Sequence, residues 1–241
     1  MYRFPDEIIT NRITYNDDYV NLEDFENNLP EKINTKEYWN FLHKEFQFCD
    51  VMTYPIEANI KNYFRTKLPH YVILIEKLEG KYDFFKNKKI LEIGLGYGIL
   101  PGLLKNCDIK CDYYCCDLVK RFNYDNFIEV DGYHLLPFIT DKFDIIIMSD
   151  VIQHLSLDIL DNYFIDFNIL LKPEGNIIIS APDLDEENYL YGTFFAQSIL
   201  HPSKKHIRNL MNKLNFDLTV SDLNYGELKI YELWQIKHKL I

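Results

Sequence analysis

Three glycines at alternate positions, Gly94, Gly96 and Gly98, follow almost directly on Glu92, the carboxylate near the end of the short run Ile90-Leu91-Glu92-Ile93. Glycines so spaced leave the backbone free to turn sharply and to lie against a ligand with no Cβ in the way. A second carboxylate, Asp117, comes about 20 residues beyond the loop, the separation at which an acidic side chain accepts hydrogen bonds from both hydroxyls of a ribose. The pair Asp131-Gly132 adds an acceptor and an accessible amide, and it also reads as a plain Asp-Gly turn. The run Ser149-Asp150-Val151-Ile152-Gln153-His154-Leu155 carries a histidine, His154. An imidazole there could orient or deprotonate a second reactant because it titrates near neutrality, or it could simply hydrogen-bond to the scaffold. Such a set fits a nucleoside-bearing ligand held at one edge of a sheet.

The elements that must position these groups follow from the apolar pattern. Ile90–Ile93 suits a buried parallel strand, and Ile99 to Leu104 a helix whose first turn tolerates Pro101. Asp112 to Val119 and Asn126 to Val130 read as the second and third strands, and Phe143 to Asp150, with its continuous β-branched run, as a central one. Leu157 to Leu171 is periodic as a helix and stops at Lys172-Pro173-Glu174-Gly175, read as a turn ahead of a fifth strand over Asn176 to Ala181. Asp183 to Leu200 reads as a lid or insertion carrying Asp185, Tyr189, Tyr191 and Phe194. Ser203 is placed to cap a helix running through Leu214, and Phe216 to Asp222 and Leu228 to Lys237 predict an antiparallel hairpin at the sheet's edge. Ahead of all this, residues 1 to 87 are weakly patterned and read as loops and short helices, with aromatics at helical spacing over residues 38–46 and helical pieces at Ile56 to Thr66 and Tyr71 to Leu78.

The spacing distinguishes between ligands. A dinucleotide fingerprint is G-x-G-x-x-G, whereas this loop is G-x-G-x-G, and no lysine followed by serine or threonine continues it as a phosphate-cradling loop would. The strand ending near an acidic residue and followed by G-x-G-x-G resembles the first motif of the class I S-adenosylmethionine-dependent methyltransferases, of the type 11/12-like kind. Leu136-Pro137-Phe138, the segment after the fourth strand and the L-L-K-P-x-G-x-I-I-I run resemble further elements of that family, in order, over residues 87 to 238. The resemblance implies a doubly wound, Rossmann-like α/β fold with a mostly parallel seven-stranded sheet, helices on both faces, an antiparallel C-terminal hairpin and a helical N-terminal cap. The implied division is 1–87 as a substrate-side cap and 88–241 as the methyltransferase domain.

The resemblance further implies S-adenosyl-L-methionine as cofactor, held by Glu92, Gly94, Gly96, Gly98, Asp117, Leu118, Asp131, Gly132 and Asp150. Asp131 would accept from the exocyclic amine of adenine, the Gly132 amide would serve the ring nitrogen, and His154 would be the catalytic candidate. Because the sulfonium carbon is already electrophilic, alignment of the acceptor and exclusion of water can carry such a reaction. The expected acceptor is a small molecule or a sugar- or lipid-like metabolite, with a protein acceptor also open. Amino-DNA methyltransferases carry a D-P-P-Y or N-P-P-Y-like motif where Ser149-Asp150-Val151-Ile152 stands, so a base in DNA is not expected. Two alternatives remain, another S-adenosyl or nucleoside user such as an aminopropyl transferase, and a non-catalytic binding module.

Composition bounds these readings. The 241 residues are 47% apolar, enough for one substantial core with an appendage. A net charge of -11 disfavours sequence-independent nucleic-acid binding, which rests on clustered cations. Neither a signal peptide nor a membrane-length apolar run is evident, and the expected location is the cytoplasm. The five cysteines, Cys49, Cys107, Cys111, Cys115 and Cys116, are an odd set without paired knuckles, so reduced thiols are expected and no metal site. Adjacent Cys115 and Cys116 should face opposite sides of a strand. The oligomeric state is left open.

Overall fold

The computed structural model describes residues 68–96, 98–120, 124–182, 190–194, 197–225 and 228–239. The aromatics of residues 38–46, the helical piece at 56–66, Cys49, Asp185 and Tyr189 lie outside them. Seven strands form one sheet: β1 (Lys89–Ile93), β2 (Asp112–Asp117), β3 (Phe127–Glu129), β4 (Phe143–Ser149), β5 (Leu171–Pro182), β8 (Phe216–Tyr225) and β9 (Leu228–His238). Their order is β3-β2-β1-β4-β5-β9-β8. The first five run parallel, while β9 pairs antiparallel with both β5 and β8. A separate hairpin joins β6 (Leu190–Phe194) and β7 (Gln197–His201). It occupies the stretch predicted as an insertion.

Alternation on the central strands explains why helices cover both faces. Ile145 and Ile147 of β4 join Ile90, Ile178 and Leu233 in one core, and Ile146 and Met148 join Leu91, Ile93, Ile177, Ile179 and Trp234 in the other. Each fully buried isoleucine contributes roughly 1.5–3 kcal/mol of transfer free energy. The first core is covered by a helix through residues 68–77, α1, supplying Tyr71, Leu74 and Ile75, and by α2 (Ile99–Asn106), supplying Ile99, Leu100 and Leu104. The second is covered by α3 (Leu157–Leu170), whose stripe Ile159, Leu160, Tyr163, Phe164, Phe167 and Leu170 recurs every three or four residues, and by α4 (Lys204–Lys213). Ser203 caps α4 as expected, its Oγ accepting from the His206 amide at 3.2 Å.

One element differs from the sequence reading. Lys172-Pro173-Glu174-Gly175 is a bulge inside a longer strand and not a turn ahead of it, because Phe143 already pairs with Leu171 while Ile145 pairs with Asn176. Gly175 permits that fold-back: a Cβ there would stand 2.7 Å from Leu171 Cδ1. The helix expected over Tyr71 to Leu78 is present as α1 and packs on the sheet as one of its covering helices. Cys115 and Cys116 are buried on β2 and point to opposite faces, as alternation predicts, with Cys116 in the second core. Among the described residues no helix is long and apolar enough to cross a membrane.

Candidate active site

The chain runs outward from β1 through β2 to β3, then returns to the other side of β1 with β4 and β5. That reversal leaves a crevice at the carboxyl ends of β1 and β4, where open α/β sheets bind ligands. Parallel register brings Ile93 beside Cys116 and Met148, so the residues just beyond, Gly94, Asp117 and Ser149-Asp150, share one edge. The third strand ends one step further out, with the Val130 amide donating to the Asp117 carbonyl at 3.1 Å, and delivers Asp131-Gly132 to the same edge.

Each glycine of the loop has left-handed backbone, with φ of 74° at Gly94, 56° at Gly96 and 68° at Gly98, where Gly98 also forms the N-terminal cap of α2. Close approach is demanded here by the protein's own side chains. A Cβ at Gly94 would stand 2.4 Å from Val151 Cγ2, and one at Gly98 would stand 2.2 Å from the Tyr124 hydroxyl. Gly94→Ala should therefore cost about 1–3 kcal/mol through strain and overpacking. A denaturant midpoint equal to the parent's would contradict this.

Glu92 points from β1 into a buried polar knot and is 1% exposed. Tyr71 Oη of α1 donates to Oε1 at 2.9 Å, and Tyr113 Oη of β2 donates to Oε2. Burial raises its carboxyl to about 8, outweighing the two tyrosine hydrogen bonds, which act to lower it; the charge of Asp117 adds to the rise. Asp117 is partly buried, and its Oδ1 accepts from the Leu118 amide at 2.7 Å while the Leu118 side chain packs in the second core. Asp131 is exposed, its Oδ1 accepting from the amides of Tyr133 at 2.8 Å and His134 at 3.2 Å; Gly132 beside it is buried with φ of 86°.

At the end of β4, Asp150 adopts φ of 56° and its amide donates to the Ser180 carbonyl at 3.3 Å. This left-handed residue turns the chain into a 3-10 turn, Ile152–His154, which carries the partly buried His154. The turn lies beside β7 of the hairpin. Beneath it runs a buried polar chain that spacing could not reveal: His70 Nε2 of α1 lies 2.9 Å from Ser180 Oγ, and Ser180 Oγ lies 2.8 Å from Ser149 Oγ. His70, Ser149 and Ser180 are all buried, with the His70 ring edge-on to Tyr231 at 4.8 Å. The sequence reading thus missed His70, Tyr71, Tyr113 and Tyr124. Its one available signal was the polar pair His70-Tyr71 at the head of an apolar helix.

A glycine loop, carboxylates at the end of β2 and just after β3 and β4, and an imidazole on the following turn thus share one edge of the sheet. A family model described as "Methyltransferase domain" matches residues 62–220, well over half of the chain, and the chain belongs to that family. The chain is thus a methyltransferase, as its resemblance to the class I S-adenosylmethionine-dependent methyltransferases implies. Among solved structures it is similar to the 1,6-didemethyltoxoflavin-N1-methyltransferase of Burkholderia thailandensis with bound 1,6-didemethyltoxoflavin and S-adenosylhomocysteine. That likeness has a TM-score of 0.59 at 16% identity, over 87% of this chain and 92% of the other. It is also similar to DhpI in complex with SAH (TM-score 0.56, 15% identity, 85% and 95% covered). A third likeness is to an S-adenosylmethionine dependent methyltransferase from Mesorhizobium loti (TM-score 0.54, 12% identity, 68% and 95% covered). These identities speak for a shared fold. No curated protein matches the chain.

Proposed function

We propose that the enzyme methylates a small-molecule acceptor, of a class that includes sugars and lipid-like metabolites, in the cytoplasm. The observation that carries this reading is the convergence of the glycine loop, Asp117, Asp131 and Asp150 on one sheet edge beside the 3-10 turn of His154. The cofactor supplies an electrophilic methyl group on sulfur, so the protein needs chiefly to align an acceptor and exclude water. The residues present fit it: left-handed glycines that turn the main chain at the carboxyl edge of the sheet, and a partly buried carboxylate at the end of the neighbouring strand. In this reading Gly94, Gly96 and Gly98 give main-chain contact, with Glu92 behind them. Asp117 takes the ribose hydroxyls beside Leu118, Asp131 and Gly132 take the adenine edge, and Asp150 lines the cofactor side of the β4 turn. His154 faces the acceptor as general base. The N-terminal region and the β6–β7 hairpin choose the acceptor, a role supported by the hairpin's place beside the His154 turn. A fold shared with an enzyme that binds a small heterocycle is in keeping with an acceptor of that size.

The reading is tested by screening extracts for mass gain of a methyl group from isotopically labelled S-adenosylmethionine, beside calorimetry with S-adenosylhomocysteine, NAD and ATP. Tighter binding of NAD would overturn it. Asp117→Ala should weaken S-adenosylhomocysteine binding by about 1.5–3 kcal/mol, the size of a lost charge-assisted hydrogen-bond pair. Unchanged affinity in a folded variant would remove the ribose assignment.

A further inference from the structure

The loop after β3 is gripped by a carboxylate that lies 35 positions further along the chain from Asp131, at Asp166 of α3. Asp166 is 1% exposed and interrupts the apolar stripe by which α3 packs on the sheet. Burying a carboxylate there is costly unless hydrogen bonds offset it. They do: Oδ2 accepts from the amide of Leu135 at 2.6 Å and from that of Leu136 at 3.3 Å, with His134 Nδ1 at 3.5 Å from the same oxygen. Asp131 accepts from the two preceding amides, those of Tyr133 and His134. Four consecutive backbone amides, 133 to 136, are thus held by two carboxylates, one from the loop itself and one from the helix. Leu135, wholly buried, continues the anchor, its carbonyl accepting from Phe138 and Ile139 at 3.0 and 2.9 Å.

We propose that Asp166 is a positioning residue for base selectivity: it fixes the loop after β3 so that Asp131 and the Gly132 amide meet the edge of adenine. The inference rests on the adenine reading of Asp131 and Gly132 given above and adds what holds them in place. An apolar residue at 166 would leave one buried and one partly buried amide without this acceptor and free the loop to shift. Gly132, in left-handed backbone within that loop, would move with it. The ribose and glycine-loop contacts, borne by β1 and β2, would stay.

The test is a ratio. S-inosylhomocysteine carries a carbonyl where adenine has its amine and a ring N–H where adenine has an acceptor, so it reverses both groups that the loop would read. Calorimetry of the full chain against S-adenosylhomocysteine and S-inosylhomocysteine should show a preference for the adenosyl compound. Asp166→Leu should reduce that preference about tenfold. Asp166→Asn, which keeps one accepting oxygen, should reduce it less. A residue that merely stabilises the fold would lower the melting temperature and weaken both ligands alike, leaving the ratio unchanged, and that result overturns the proposal. Where the leucine variant does not fold, the asparagine variant decides alone, an unchanged ratio again counting against it. Asp131→Ala separates the two assignments. If it leaves the ratio intact while the Asp166 variants lower it, the base is read by the loop's main chain, Asp166 keeps its role and Asp131 loses its own. A parent chain that does not discriminate overturns both.

Discussion

Glu92→Gln should make the protein more resistant to heat at pH 8 than its parent, by a margin that grows as the pH is raised from about 4.5. The cause is the buried site on β1. The folded protein holds the Glu92 carboxyl at about 8, above its ordinary 4.5, because burial outweighs what the hydroxyls of Tyr71 and Tyr113 return. Between those two values the folded chain binds more protons at this group than the unfolded chain does. Stability contributed by the protonated acid is thus fully present below 4.5, falls as the pH rises, and is lost by the time the pH passes 8. The span corresponds to a few kcal/mol. Glutamine has no proton to lose and nearly the same shape, so its stability should not show this fall. Thermal unfolding of both proteins from pH 4 to pH 9 checks it. A difference in melting temperature that does not change with pH would mean that Glu92 stays ionised in the fold. Glu92→Ala differs in kind, because it opens a cavity and leaves two tyrosine hydroxyls without their acceptor, and it should destabilise at every pH.

The contrast between Glu92 and its partners shows where sequence reasoning stops. The glycine loop, Asp117, the β4 run and the C-terminal hairpin could be read because their signals are local: spacing, β-branched continuity, a turn residue. What surrounds Glu92 is not local. Tyr71 and Tyr113 each lie 21 positions away, on opposite sides of it in sequence, and only the packing of α1 and β2 brings both to one carboxylate. The separation is greater still for His70 and Ser180, 110 positions apart. No period or motif links a histidine in one helix to a serine at the tip of a parallel strand. Lys172 to Gly175 was misread for a related reason: Pro and Gly mark a break in either a turn or a bulge, and the choice lies with the partner strand, where Phe143 has already claimed Leu171. The region ahead of β1 reads as a cap because the family resemblance implies one. Whether its aromatics face a ligand or a sheet depends on what stands opposite, and Tyr71 stands against the sheet.

Replacing His154 should leave S-adenosylhomocysteine binding intact and slow methyl transfer by about a hundredfold or more, the scale of general-base catalysis. The local structure sets up the distinction. His154 is delivered by a 3-10 turn that starts two residues after Asp150, whose left-handed backbone is tied through its amide to Ser180. The turn is also stapled from within, the His154 amide donating to the Val151 carbonyl at 2.8 Å. His154→Asn and His154→Gln keep that main-chain bond. A general base acts only as neutral imidazole, so parent turnover on the identified acceptor should rise with pH and level off once the ring has lost its proton. In the asparagine variant that step should vanish. A scaffold histidine gives a different pattern, with melting temperature and cofactor affinity falling together and the pH step retained. Near-normal turnover in either variant would remove His154 from catalysis and leave alignment of the acceptor to carry the reaction.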